Sequence, residues 1–155
     1  MTADANAARL TALERSVREL ADREEIRALI IRYASHLDAR RLREYAELFA
    51  PDGTWTGGLG TATGPDAIVR LLEGGLVQLD LPSGGTYHLT FNPIVHVDGD
   101  TATATSRYAY LVRDDTDRPV VSLIGHYEDE LVRRAEGWRF RRREAFTDIP
   151  WKRRA

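Results

Sequence analysis

The sequence predicts an α+β domain in which N-terminal helices pack into a strongly curved, mainly antiparallel sheet, and three observations carry that prediction. Apolar residues recur at helical spacing as far as Leu72 and at alternating, strand-like spacing beyond Gly85. Helices therefore come first and strands afterwards, the segregated order of an α+β fold rather than an alternating α/β one. At 155 residues and 43% hydrophobic content the chain is long enough for one core and short for two, so residues 1–155 are taken as one domain.

Met1 to Asn6 is small and polar and is expected to fray. Over Ala7–Ala21, Leu10, Leu13, Val17 and Leu20 mark a narrow-striped amphipathic helix, suited to the outside of the domain or to a second subunit. Asp22, followed by Glu24 and Glu25, reads as the N-cap of a new helix, because acids in a first turn favour the positive end of the macrodipole. That main helix carries Ile26, Leu29, Ile30, Tyr33, Ala34 and Leu37 on one broad stripe and ends at Asp38 or Ala39. Asp38 is out of place electrostatically, since the carbonyl end of the dipole repels a carboxylate. A second helix is expected from about Arg41 to Phe49, stopped by Pro51-Asp52-Gly53, and Thr54–Thr56 is a short strand. Gly57 to Gly64 reads as a loop, and a third helix, Ala67 to about Leu72, is broken by Gly74 and Gly75.

Four strands follow: Thr86–Val97, a turn at Asp98-Gly99-Asp100, Thr101–Arg113, a polar connection at Asp114–Asp117, Pro119–Arg134, and Trp138 to about Phe146. In strand alternation His88, Thr90 and Asn92 share one face of the first of these. Tyr108 and Tyr110 share a face of the second, and His126 lies with Ile124 and Glu128 on the third.

Balanced charge, formally -2, argues against a general binder of nucleic acid or membrane surfaces. The absence of cysteine excludes disulfides and thiolate chemistry, and no His/Asp/Glu cluster has metal-ligand spacing. Gly57–Gly64 lacks the lysine and hydroxyl of a phosphate loop, and the basic runs RFRRR and WKRR have no stacking aromatic motif or helix-turn-helix beside them. No apolar run resembles a signal peptide or a membrane span, so the cytoplasm is the expected location.

Four segments, IRALIIRYASHLDARRLREYAELFAPDG, GPDAIVRLL, YHLTFNPIVHVDGDTATATS and GHYEDELVRRAEGWRFRRRE, resemble in order and spacing the SnoaL-like branch of the nuclear-transport-factor-two-like superfamily. The resemblance runs from Glu24 to Trp151, and the ending TDIPW is also similar to that of scytalone dehydratase. It implies a cone-shaped α+β barrel like those of scytalone dehydratase, bile-acid dehydratase, ketosteroid isomerase and limonene-epoxide hydrolase. Fold does not fix chemistry, because these relatives do different reactions.

In the dehydratase members an aspartate ending the first long helix pairs with a histidine on the first long strand, positions held here by Asp38 and His88. Imidazole can take a proton from carbon beside a carbonyl and return it to a leaving hydroxyl, while the carboxylate fixes its tautomer. Against this, Asp38 fits equally as N-cap of the second helix, and His88 alone as an ordinary strand histidine. Tyr33 matches a position that polarises a carbonyl or leaving group in relatives, and fits a core aromatic as well. Arg143 matches an arginine that holds a carboxylate or halide in some relatives, yet Arg139, Arg141 and Arg143 on one strand face, with Arg142 on the other, also read as a solvated edge strand.

The resemblance thus implies a cofactor-free lyase or isomerase for a small apolar cyclic carbonyl substrate, with His88 as base and acid, Asp38 as its orienter and Tyr33 as a donor. Asn92, Tyr108, Tyr110, His126 and Arg143 are candidate substrate contacts. The second histidine of scytalone dehydratase has no counterpart, which argues against scytalone itself. The alternative is a non-catalytic binding module or an oxygenase β-subunit-like structural module, and a homodimer or homotrimer is expected. Epoxide hydrolysis needs an Asp-Arg-Asp arrangement that these residues do not supply.

Overall fold

A computed structural model describes residues 3–78 and 85–150, so Met1, Thr2, Trp151 and the WKRR run lie outside the described residues. Helix α1 (Ala3–Asp38) is unbroken, and the segment expected to fray is already helical at its third residue. Asp22 is therefore not an N-cap. It is buried within the helix, where its carboxylate accepts from Arg133 Nη2 at 2.5 Å and from the Trp138 indole at 3.2 Å. One turn on, Glu25 accepts the Trp138 backbone N–H at 2.9 Å. Two acids that resemble a helix start are thus the clamp that fastens α1 to the sheet. Leu10, Leu13, Val17 and Leu20 are all more than half exposed, so the N-terminal stripe does not pack on the described body of its own chain.

α1 stops in a tight C-terminal turn: Arg41 N–H donates to the His36 carbonyl and Arg40 N–H to that of Leu37, with Arg40 left-handed at φ 58°. Helix α2 (Leu42–Ala46) is shorter than expected, because the Leu48 carbonyl accepts from the backbone of Phe140 and draws the chain into a strand. Its N-cap is Arg41 without a side-chain bond, so Asp38 does not cap it. Strand β1 (Phe49–Gly57) absorbs the Pro51-Asp52-Gly53 turn as an irregularity between Phe49 and Thr54. The expected glycine loop folds back as β2 (Gly60–Thr63).

Helix α3 (Pro65–Gln78) runs through both glycines that were expected to break it. A helical glycine costs only about 1 kcal/mol against alanine, and Gly75 serves a purpose, since a Cβ there would strike the Leu59 side chain.

Strands β3 (Thr86–Asp98), β4 (Thr101–Arg113), β5 (Pro119–Arg134) and β6 (Gly137–Ile149) form the antiparallel meander. The sheet order is β2-β1-β6-β5-β4-β3, with β1 parallel to β6 and all other pairs antiparallel. It curves without closing, so β2 and β3 are its edges and β6 is internal. Ile26, Leu29, Ile30, Tyr33 and Leu37 of α1 share one core with Tyr127, Leu131, Trp138 and Phe140.

Of the register shifts in the sheet, those on β6 after Phe140 and on β3 after Phe91 reposition residues named above. On β6, Phe140 opposes Leu131 and Arg142 opposes Glu130, so Arg141 is an extra residue. Arg143 thereby joins the inward face of Trp138 and Phe140 and is fully buried, whereas Arg141 and Arg142 are exposed. The reading of Arg143 on a solvated edge strand is overturned on both counts. On β3, pairing is interrupted between Phe91 and Ile94, leaving Asn92 exposed at φ 53°. Asn92 is thus not in line with His88 and Thr90.

Candidate active site

The end of α1 and the start of β3 bring Asp38 against His88 at two points. Asp38 Oδ1 lies 2.6 Å from His88 Nδ1, and Asp38 Oδ2 accepts the His88 backbone N–H at 2.9 Å. A carboxylate can only accept, so Nδ1–H is the donor, and in the neutral imidazole the lone pair is then on Nε2. Both side chains are about six-sevenths buried, at 14% and 16% exposure, which weakens competition from water. The unfavourable place at the helix terminus is offset by these two donors.

Tyr110, opposite His88 on β4, sets its ring 4.7 Å from the imidazole. Burial pushes the Tyr110 phenol above its ordinary value, so it is a proton donor at neutral pH. Arg40 reaches across from the helix end to donate to Thr86 Oγ1 at 3.3 Å, closing that side of the pair. Tyr108 is next along, 6.4 Å from His88, but its hydroxyl donates to the Phe146 carbonyl at 3.1 Å. Its ring lies over Gly125, where a Cβ would also meet the Phe146 carbonyl, and stacks on Tyr127 at 4.5 Å.

A second interior group surrounds Arg143. Its guanidinium carbon is 3.9 Å from the ring centres of both Tyr33 and Tyr127 and 4.6 Å from that of Phe140. Asp129, paired with Arg143 across β5 and β6, approaches Nε to 3.5 Å with both side chains wholly buried. Burial pushes the Asp129 carboxyl up to about 6, partly opposed by the Arg143 charge. Tyr33 is core: its hydroxyl accepts the Trp55 indole N–H at 2.8 Å, and burial raises its phenol.

The structure thus brings Asp38, His88, Tyr110 and Tyr108 together and places Arg143 with Tyr33 in the adjoining interior. It does not bring in Asn92 or His126. His126 is on the outer face with Arg107 and Phe146, where its Nδ1 meets both oxygens of Asp148 at 2.9 Å. Asp129, Tyr127 and Trp55 escaped the sequence reading. Asp129 had a signal, an acid between Tyr127 and Leu131 at an inward strand position.

Among the described residues no group of three or more His, Cys, Asp or Glu could hold a metal ion, and no helix is long and apolar enough to cross a membrane. A surface groove of about 590 Å³ is lined by Pro51, Asp52, Arg134, Ala135 and Glu136, none of which belongs to either interior group.

The model of the SnoaL-like domain matches residues 18–144. An uncharacterized protein of Mycobacterium tuberculosis is 35% identical over 130 residues, covering 83% of this chain and 86% of its own. An NTF2-like protein with a cystatin-like fold from Novosphingobium aromaticivorans superposes with a TM-score of 0.83 at 32% identity, covering 92% of each chain. A scytalone dehydratase-like protein of the same organism gives 0.72 at 28%, covering 90% of this chain and 94% of its own.

Proposed function

We propose, from the premise that the chain belongs to the SnoaL-like domain family, that it is a cofactor-free lyase or isomerase for an apolar cyclic carbonyl compound such as an aromatic polyketide or steroid-like molecule. The observation that carries this reading is the two-point contact of Asp38 with His88, which selects the Nδ1–H tautomer, in whose neutral form Nε2 is the base. Nε2 takes a proton from the carbon next to the carbonyl, and the electron pair moves onto the carbonyl oxygen. The same Nε2–H then protonates a departing β-hydroxyl, releasing water, or another carbon, completing an isomerisation. Tyr110, whose ring lies 4.7 Å from the imidazole and whose phenol hydrogen-bonds Thr86, would exchange that bond for one to the enolate oxygen, whereas Tyr108 gives its hydroxyl to the Phe146 carbonyl and serves through its ring.

The test is α-proton exchange of 2-tetralone, an apolar bicyclic ketone, in deuterated water followed by NMR. Protein-catalysed exchange is expected, with His88→Ala lowering it by about a hundredfold or more. Exchange no faster than buffer alone, or unchanged in that variant, refutes the reading.

The proposed unit is a single domain that works in the cytoplasm as a homodimer or homotrimer. Support for association is the outer sheet face, where Tyr87, Leu89, Ile94 and Val121 are more than half exposed. The same face supports the second reading, a binding or oxygenase β-subunit-like structural module. A purified chain that self-associates and catalyses exchange favours the first; a monomer without exchange favours the second.

A further inference from the structure

We propose that Asp129, Arg143, Ser106 and Tyr45 form an interior polar subsite that receives the hydroxyl-bearing end of a ring compound. Nine buried side-chain nitrogen and oxygen atoms among the described residues have no hydrogen-bond partner, and seven of them belong to these four residues. They are both carboxylate oxygens of Asp129, all three guanidinium nitrogens of Arg143, Ser106 Oγ and the Tyr45 hydroxyl, which faces the Tyr33 hydroxyl and is the least isolated of the seven. Buried polar groups are normally satisfied, and leaving a buried charge without hydrogen bonds is costly, so such a concentration implies a missing guest.

The four residues share one region. Asp129 and Arg143 face each other across β5 and β6. Ser106 pairs with Tyr127, two positions along β5 from Asp129 and on the same face. The Tyr45 ring is 4.6 Å from that of Tyr33, over which Arg143 lies, and the Arg143 charge acts on the Tyr45 phenol. Arg143 is held by the faces of Tyr33, Tyr127 and Phe140, contacts that leave its N–H edges unused.

The chemistry of the guest follows from the pairing of signs. A free anion meets the Asp129 carboxylate and a free cation meets Arg143, so neither suits both. A neutral hydroxyl donates to Asp129 and accepts from Arg143 at once. The aromatic rings around the pair suit a flat apolar body behind that hydroxyl. This inference rests on the proposed function only in taking the same interior as the ligand chamber, and it adds that the substrate carries a hydroxyl away from its reacting carbonyl.

The probes are phenol and toluene, matched in shape and differing in the hydroxyl, with binding followed by NMR titration. Wild type is expected to prefer phenol by about tenfold or more, since a site built for a hydroxyl rejects its apolar isostere. Asp129→Val is expected to bring the preference close to one. Ser106→Ala, a milder change that guards against misfolding of the first variant, is expected to reduce it by about two- to fivefold. No preference in wild type, no binding of either probe, or a preference intact in both variants overturns the proposal. So does a crystal structure grown with phenol that shows ordered water alone at these atoms. The readout is binding rather than turnover, so this proposal and the His88 reading fail independently.

Discussion

Asp38 holds His88 by ring and backbone together, Oδ1 to Nδ1 at 2.6 Å and Oδ2 to the main-chain N–H at 2.9 Å. The carboxylate is therefore a structural tie between α1 and β3 as well as an orienter. Asp38→Ala leaves a partly buried backbone donor and a ring donor without their acceptor, whereas His88→Ala leaves Oδ2 still bonded. Asp38→Ala is expected to lose about 2 kcal/mol and His88→Ala less, measured by urea denaturation. A larger loss for His88→Ala sinks this ordering.

Asp22 supplies a second helix-to-sheet tie, and its titration gives it a sign. The hydrogen bond from Arg133, outweighing burial, with further help from Trp138, holds its carboxyl below the ordinary value. A carboxyl lowered on folding contributes stability that is complete above about pH 4 and lost as pH falls through the lowered value. Asp22→Asn should therefore destabilise at pH 7 by about 1–3 kcal/mol. That deficit should shrink toward acid in paired denaturation curves. A deficit independent of pH refutes the assignment.

Much of this was legible in sequence, for identifiable reasons. β4 and β5 appear at their expected bounds because Asp98-Gly99-Asp100 and the polar run from Asp114 punctuate them. The Asp38-His88 pairing was implied by the resemblance to the dehydratases, whereas the residues alone left Asp38 equally readable as a helix cap and His88 as an ordinary strand histidine. Bulges carry no comparable mark: the extra residue at Arg141 turned Arg143 inward, and the interruption after Phe91 turned Asn92 out. Acids are also ambiguous one at a time. Asp22 resembles a cap, and only its neighbours in space, Arg133 and Trp138, show that it is a clamp.

The adjacent glycines of α3 separate propensity from packing. A Cβ at Gly74 meets nothing within 4 Å, whereas at Gly75 it strikes Leu59. Gly74→Ala should raise stability by about 0.5–1 kcal/mol through helix propensity alone. Gly75→Ala should forfeit that gain to displacement of Leu59. Equal gains in thermal unfolding of the two variants refute the packing role of Gly75.

Asp129 should titrate with the opposite sign to Asp22. Burial raises its carboxyl to about 6, the Arg143 charge opposing this only in part. A carboxyl raised on folding binds its proton more tightly in the native state, so between about pH 4 and 6 the native state holds more protons than the unfolded one. Its contribution to stability then falls as pH rises through that window and levels off above it. Asp129→Asn removes the titration while keeping the shape, so the stability difference between variant and wild type should move in favour of the variant from pH 4 to about 7. Movement the other way identifies Asp129 as a conventional ion-pair partner of Arg143. In that case attraction at 3.5 Å outweighs desolvation in an interior where neither group has a hydrogen-bond partner.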